Sequence, residues 1–236
     1  MLVPVAGVPM IVRVVRTLRA ARTINHIVVC TDDPSAFANL DELYALVPSG
    51  TLSFSLSTGQ SPSESVMQYL RQRDAQQPIL VTTADHPLLT PEMVDYFCTA
   101  AASAPADVAV GIVAESTFRR QYPHSKRSFF PLKDDSFCGT NLFALLTPAA
   151  MAAVQFWNHA GQFRKRPWRL IGTFGLLNLL RFALRRPDLA TVVPRASRVI
   201  GARAAAVPMP FPECAIDVDT LDDLETATRI VQERKS

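Results

Sequence analysis

Asp85 stands at a point in the sequence where an aspartate could bind a cation. It lies in the segment TADHPL, residues 83–88, directly after a continuous apolar run at residues 78–83 that is typical of a central parallel strand. Ligands of open α/β sheets bind beyond the carboxyl ends of the strands, so a carboxylate there is well placed to hold a metal ion. The competing interpretation is a turn or helix cap, because aspartate is common in turns.

A second acidic group lies near the end of the sequence. Asp217 and Asp219 flank Val218, and their side chains point to the same side if the segment is extended. Two such carboxylates repel each other unless a cation or hydrogen-bond donors lie between them. Mg²⁺ binds one or two carboxylates together with phosphate oxygens. Asp219 or Thr220 is alternatively the N-cap of the helix that follows.

Polar and basic residues in the middle of the chain are candidates for binding an anionic substrate. Gly139 and Asn141 lie inside a predicted strand, where glycine marks either a bulge or a close approach to a ligand, and Asn141 can both donate and accept hydrogen bonds. Two basic clusters, at residues 126–127 and 164–169, could contact phosphates or carboxylates. Solvent-exposed loops are the competing interpretation for both clusters, and the second one, with Trp168, could also contact a lipid surface.

Apolar patterning predicts alternating strands and helices around these residues. Runs of β-branched or alternating residues predict strands, and helical periodicity with capping signals predicts helices. The predicted strands lie at residues 24–31, 52–56, 78–83, 108–114, 128–132, 137–146 and 204–207, and the predicted helices begin near residues 9, 61, 90, 148, 168 and 220. Their order predicts a mostly parallel sheet with helices on both faces.

The composition fits one globular domain in a reducing compartment. Of the 236 residues, 48% are hydrophobic and the net charge is +3, which indicates a well-buried core and no requirement for nucleic acid. The four cysteines lie far apart without a C-x-x-C pair, so we interpret them as buried thiols of a cytoplasmic protein. The N-terminus lacks the features of a secretory signal. The most apolar stretch, residues 170–184, contains Arg181 and is too short to span a bilayer.

Three motifs, in order along the chain, resemble those of the MobA-like nucleotidyltransferase family, whose members include molybdenum-cofactor guanylyl- and cytidylyltransferases. The opening LVPVAGVPM is similar to the family segment K-x-L-x-P-x-x-G-x-P-M. Residues 83–88 are similar to its G-D-x-P-L metal segment, and residues 217–224 are similar to its closing D-x-D-T-P-x-D-L. The matches bracket nearly the whole chain, so we interpret residues 1–236 as one domain.

The resemblance implies a Rossmann-like, three-layer nucleotidyltransferase fold of the GT-A-like type, with a mostly parallel mixed sheet. It implies Mg²⁺-dependent transfer of a nucleoside monophosphate from CTP or GTP to a phosphorylated small-molecule acceptor, with release of pyrophosphate. Asp85, Asp217 and Asp219 would be the catalytic metal ligands. The other implied contacts are the nucleotide-binding residues Gly59, Ser65, Thr83 and Ala84, and the acceptor-side residues Lys126, Arg127, Gly139, Asn141, Lys165 and Arg166.

The sequence departs from the family pattern in two places. It lacks the first strand and the glycine-rich loop that precede the opening motif, and the family lysine would fall on Met1. We therefore expect either a lost upstream segment or a reduced relative of the family. Residues 115–210 match the named enzymes poorly, and we interpret them as a variable region on the acceptor side.

The residues leave three alternative functions open. A degenerate domain would bind nucleotide or a protein partner without turnover. A GT-A-type glycosyltransferase shares the architecture and a D-x-D pair, although here the pair lies before the last helix. The basic and apolar stretch at residues 164–186 could contact a membrane surface and a lipid-linked acceptor.

Overall fold

Strands and helices alternate along the chain. The structure is a computed structural model that describes residues 1–59, 61–72, 77–163 and 187–234. The strands within these ranges are β1 (Pro4–Val5), β2 (Val8–Pro9), β3 (Ile27–Thr31), β4 (Leu52–Leu56), β5 (Ile79–Val81), β6 (Val108–Ala114), β7 (Phe130–Pro131), β8 (Ser136–Leu145) and β9 (Ala204–Pro208). The α-helices are α1 (Met10–Ala20), α2 (Asp41–Tyr44), α3 (Pro62–Arg71), α4 (Pro91–Ser103), α5 (Glu115–Gln121), α6 (Met151–Phe163), α7 (Leu189–Ile200) and α8 (Leu221–Glu233). The predicted α/β class is confirmed.

Strand β8 lies at the centre of the larger sheet. It pairs antiparallel with β5, β6 and β7, and β6 pairs in parallel with β9. A second sheet is formed by the parallel pair β3 and β4. The predicted mixed sheet is therefore confirmed. Three of the four strand pairings described in the larger sheet are antiparallel and not parallel, because all three involve β8. Within the described ranges, β3 and β5 each pair along one edge.

Helix α1 divides its apolar residues between two cores. Met10 joins the core that α4, β6 and α8 build on the larger sheet. Ile11, Val12 and Val15 join the core of β3, together with Leu52 of β4. Because one amphipathic helix supplies both cores, it holds the two sheets in a fixed relation.

One predicted strand is shorter in the structure, and one predicted helix lies outside the described residues. The strand predicted at residues 78–83 is shorter, because β5 ends at Val81 and the following residues form the loop that carries Asp85. The helix predicted near residue 168 and the basic cluster at residues 164–169 lie outside the described residues. Among the helices that the structure describes, none has the length and apolar character needed to cross a membrane.

The N-cap of helix α8 is Thr220 and not Asp219. The Thr220 hydroxyl accepts a hydrogen bond from the Asp223 backbone N–H at 3.3 Å, and the Asp223 carboxylate accepts one from the Thr220 backbone N–H at 2.9 Å. This reciprocal arrangement is a capping box. Of the two cap candidates predicted from the sequence, Thr220 is correct, and the Asp219 carboxylate is left for another role.

We predict that Thr220→Ala lowers the free energy of unfolding by about 1 kcal/mol, because the first turn of α8 loses its capping hydroxyl. Urea denaturation followed by circular dichroism measures this loss. Thr220→Ser keeps the hydroxyl and should retain most of the stability. An equal loss in both variants would show that the capping bond does not stabilise the helix.

Candidate active site

Asp85 lies in the loop that follows β5. The Thr83 hydroxyl donates a hydrogen bond to the Asp85 carboxylate, which fixes the side chain close to the end of the strand. The next four residues, 86–89, are buried, so the loop is packed into the protein although Asp85 itself is only half-buried. A short, buried loop of this kind holds a carboxylate in a defined position.

Two hydrogen bonds join this loop to the chain segment that carries the second acidic group. The backbone N–H of Val218 donates to the carbonyl oxygen of Asp85 at 2.9 Å. The His86 Nε2 donates to the carbonyl oxygen of Cys214 at 2.8 Å. Because both bonds involve residues beside the acidic ones, they bring Asp85 and the 217–219 segment to the same edge of the sheet.

The neutral form of His86 is strongly favoured. Burial lowers the pKa of His86, although its bond to the Cys214 carbonyl and the nearby carboxylates of Asp217 and Asp85 oppose this shift. The ring is 1% exposed, and its Nδ1 has no hydrogen-bond partner. Since the carbonyl can only accept, Nε2 carries the proton and Nδ1 is the unprotonated nitrogen.

Asp217 is held by two donors from distant parts of the chain. Arg127 Nη1 donates to its Oδ1 at 2.6 Å, and Asn141 Nδ2 donates to its Oδ2 at 3.0 Å. Burial would raise the pKa of Asp217, but the bond and charge of Arg127 outweigh burial and lower it. Asp217 is therefore ionised, and both of its oxygens have partners.

An irregularity in strand β8 aims Asn141 at Asp217. The pairing of β6 with β8 shifts register between Val110 and Ile112, and Asn141 adopts a left-handed backbone with φ of 52°, which asparagine tolerates better than most residues. A Cβ at Gly111 would collide with the Thr140 hydroxyl, so this glycine gives the bulge its room. The register shift lies next to Gly139, which agrees with the bulge, one of the two interpretations of this glycine, and it also positions a polar side chain.

Asp219 has no direct ion-pair partner among the described residues, although the charge of Arg127 partly opposes the effect of the neighbouring carboxylates. The residue is exposed, and in the described part of the chain its carboxylate has neither an ion pair nor a hydrogen bond. Partial burial and the charges of Asp217, Asp85 and Asp223 raise the pKa of Asp219. Crowded carboxylates of this kind are stabilised by a bound cation.

Asp85 and Asp219 have the chemistry to hold a divalent cation, but with Asp217 they do not form a closed cage. Among the described residues there is no group of three acidic, histidine or cysteine side chains arranged around one point. Asp85 and Asp219 have free carboxylate oxygens, whereas those of Asp217 are engaged by Arg127 and Asn141. Mg²⁺ commonly takes one or two protein carboxylates and completes its shell with water and phosphate oxygens, so an open pair of this type suits it.

The predicted nucleotide-binding residues fall into two places. Thr83 and Ala84 lie beside Asp85 in the loop after β5. Gly59 and Ser65 lie together at the start of helix α3. A Cβ added at Gly59 would lie only 2.9 Å from the Ser65 backbone nitrogen, so a side chain there would collide with the backbone. The Ser65 hydroxyl donates to the Ser61 carbonyl at 3.3 Å and accepts a bond from Ser57 at 2.7 Å. We find no hydrogen bond in the described chain between this pair and Asp85.

The predicted acceptor-side residues divide in a similar way. Arg127 and Asn141 both contact Asp217, which the sequence did not indicate. Lys126 and Gly139 are exposed beside them, and a Cβ at Gly139 would meet nothing within 4 Å. Lys165 and Arg166, the remaining members of the set, lie outside the described residues.

Comparisons with known proteins identify the family and the fold of the chain. A family model described as the MobA-like NTP transferase domain matches residues 1–161. A hypothetical transferase from Thermus thermophilus is 31% identical, with the match covering 94% of this chain and 89% of that one, at a TM-score of 0.77. No curated protein sequence matches the chain.

Two solved structures with lower identity share the fold. The CMP:2-keto-3-deoxy-manno-octonic acid synthetase complexed with CTP is 16% identical, at a TM-score of 0.59 and a coverage of 99% of this chain and 91% of that one. The 4-diphosphocytidyl-2C-methyl-D-erythritol synthase from Anaerococcus prevotii is 13% identical, at a TM-score of 0.57 and a coverage of 97% and 88%. At these identities the comparison establishes the Rossmann-like nucleotidyltransferase architecture.

We predict that the depressed pKa of His86 makes folding stability fall below neutral pH. The unfolded chain takes up a proton at His86 as pH falls through about 6.5, whereas the buried ring resists it, so stability is full above that pH and is lost below it. His86→Gln places a non-titrating amide donor near the same carbonyl. Between pH 7.5 and 5.5, the wild-type protein should lose roughly 1 kcal/mol more unfolding free energy than the variant, measured by urea denaturation. Equal losses would contradict the buried neutral ring.

Proposed function

Because the chain belongs to the family of MobA-like NTP transferase domains, we propose that it transfers a nucleoside monophosphate from CTP or GTP to a phosphorylated small-molecule acceptor. The observation that carries the proposal is the junction of the Asp85 loop with the 217–219 segment through the Val218 bond. This junction supports the proposal because it brings Asp85 and Asp219, which have no ion-pair partner among the described residues, to the edge of the sheet where ligands of α/β folds bind.

The proposed reaction exchanges one phosphoanhydride bond for another. An oxygen of the acceptor phosphate attacks the α-phosphorus of the triphosphate, and the bond from that phosphorus to the bridging oxygen breaks. Pyrophosphate leaves with the bonding electrons, so no oxidant or other co-reactant is needed. Catalysis of this kind depends on positioning and on offsetting negative charge.

Asp85 and Asp219 would hold the Mg²⁺ ion, with Asp217 as a third ligand. When bound, the ion would offset the charge of the triphosphate and of the leaving pyrophosphate. Thr83 orients the Asp85 carboxylate through its hydroxyl. His86 keeps the two acidic segments together through the Cys214 carbonyl and so acts as a positioning residue.

The nucleotide and the acceptor would approach from different sides of these carboxylates. On the nucleotide side we propose Thr83 and Ala84, next to Asp85, and Gly59 and Ser65, at the start of α3. On the acceptor side we propose the basic residues of the variable region and the open position at Gly139. The acceptor-side set comprises Lys126, Arg127, Gly139 and Asn141, together with Lys165 and Arg166.

We also propose that the protein works in the cytoplasm. The four cysteines are free in the structure. Burial raises the pKa of Cys214 to about 12, so this thiol stays protonated and unreactive at neutral pH. Free, unreactive thiols agree with a reducing compartment.

A catalytically degenerate domain is the second candidate function, and one observation favours it. Asp217, a proposed metal ligand, is already paired with Arg127 at 2.6 Å. A chain in which this pair is permanent would bind a nucleotide without turnover. The two candidates differ in whether divalent cations change nucleotide binding.

We predict that Mg²⁺ and CTP or GTP together raise the melting temperature, because a ligand bound by the folded state stabilises it by about 2.7 kcal/mol at a hundredfold excess over its Kd. Asp85→Asn should abolish the Mg²⁺-dependent part of this shift, and EDTA should do so in the wild-type protein. Differential scanning fluorimetry with all four nucleoside triphosphates measures the effect.

Asp222→Asn is the matched control for this experiment. Asp222 is an exposed aspartate of helix α8 that takes no part in the capping box, so its variant should keep the full shift. The absence of any shift with all four triphosphates would contradict the proposal. A rise in melting temperature with nucleotide that does not depend on Mg²⁺ would support the degenerate domain. Hydrolysis of UDP-sugars would support a glycosyltransferase.

A further inference from the structure

Arg127 bonds one of the carboxylates that would hold a cation. Its Nη1 lies 2.6 Å from Asp217 Oδ1, and the side chains of both residues are mostly buried, at 23% and 18% exposure. A partly buried ion pair is screened less by water than a surface pair. The guanidinium therefore supplies the positive charge that Asp217 needs when no metal ion is bound.

The same pair opposes the binding of a divalent cation at Asp217. A divalent cation held by Asp217 would share that carboxylate with the Arg127 guanidinium, and like charges that share one carboxylate repel each other in a partly buried site. The Asn141 amide occupies the other oxygen of Asp217 at 3.0 Å. For Asp217 to become a full metal ligand, Arg127 has to move away.

Arg127 has one weak side-chain partner besides Asp217. It holds Asp217 through Nη1 rather than through the two-pronged contact that arginine and carboxylates form when the pair is fixed. Its other partner is the thiol of Cys138 in β8, and sulfur is a weak hydrogen-bonding group. Its Nε is buried without a hydrogen-bond partner. The side chain can therefore leave Asp217 by giving up the ion pair and the Cys138 contact, without breaking a backbone hydrogen bond of a helix or a strand.

The surface beside Arg127 offers room for an anion. Gly139 follows Cys138, the β8 residue that interacts with Arg127, and a Cβ added at Gly139 would meet nothing within 4 Å. Lys126 precedes Arg127 in the chain and is exposed, so it adds a second positive charge to this segment. A phosphate group that enters here would meet two cationic side chains and a surface without a blocking side chain.

We propose that Arg127 exchanges partners during the reaction: it pairs with Asp217 in the free protein and with the acceptor phosphate once a divalent cation binds Asp217. This inference rests on the proposed function, because it uses the same metal site. The exchange breaks and forms no covalent bond. In the exchange, the doubly charged ion takes the place of the singly charged guanidinium beside the carboxylates. The guanidinium then pairs with the anionic acceptor.

Binding of Mn²⁺, followed by electron paramagnetic resonance of the free ion, tests the first half of the exchange. Arg127→Ala should bind Mn²⁺ at least about fivefold more tightly than the wild-type protein, since couplings between two sites typically begin at this size. Arg120→Ala removes an exposed positive charge of α5 whose side chain bonds Ser116 and Thr117 and no carboxylate, and its affinity for Mn²⁺ should stay within about twofold of the wild type. Arg127→Gln, which keeps an amide donor, should bind Mn²⁺ as tightly as Arg127→Ala and covers the case in which the alanine variant does not fold.

Titration with inorganic phosphate tests the second half. By calorimetry, the Mn²⁺-saturated wild-type protein should bind phosphate, and Mn²⁺-saturated Arg127→Gln should bind it about tenfold more weakly, as expected when one charge-assisted contact is lost. Equal phosphate affinities would show that phosphate contacts the metal alone, and this would overturn the exchange.

The two proposals fail in different ways. Equal Mn²⁺ affinities of the wild type and both Arg127 variants would overturn the exchange and leave the proposed metal site intact. Absence of Mn²⁺ binding in all proteins, with and without CTP or GTP, would overturn the metal site and the exchange together. Binding of Mn²⁺ by the Arg127 variants but not by the wild type would support the exchange in its strongest form.

Discussion

The site depends on the two hydrogen bonds that join the loop after β5 to the segment before α8. The Val218 backbone reaches the Asp85 carbonyl at 2.9 Å, and the His86 ring reaches the Cys214 carbonyl at 2.8 Å. Both bonds lie in a largely buried region, where a lost partner costs more than at the surface. They force carboxylates from two distant parts of the chain to share one edge of the sheet, and the fold tolerates this repulsion because the neighbouring packing is extensive.

The charges at this edge are balanced unequally. Asp217 is neutralised by Arg127 and Asn141, and the pKa of its carboxyl is lowered; Asp219 has no such partner, and the pKa of its carboxyl is raised. The resting protein therefore keeps one carboxylate satisfied and leaves Asp85 and Asp219 open. This asymmetry connects the proposed metal site with the proposed movement of Arg127. A cation can bind Asp217 only if Arg127 first releases the Asp217 carboxylate.

Local signals in the sequence predicted the helices and strands. Contacts between residues that are far apart in the sequence could not be predicted. The helix starts at Ser61 and Thr220 were predicted from capping residues, and both caps form, because capping depends on residues three positions apart. The Asp85 and Asp217 segments were recognised from motifs. The bond from Arg127 to Asp217 spans 90 residues, and no periodicity or spacing carries that information. The role of Asn141 required the register shift in β8, which follows from the packing of Gly111 against Thr140 and not from a local rule.

The position of a bound cation tests the central claim most directly. Crystals of the protein soaked with Mn²⁺ and CTP, and examined by anomalous diffraction, should show a peak within about 2–2.5 Å of carboxylate oxygens of both Asp85 and Asp219. A peak bound by one of these segments alone, or a nucleotide bound at this edge without any metal peak, would contradict the claim that the two acidic segments meet at one divalent ion.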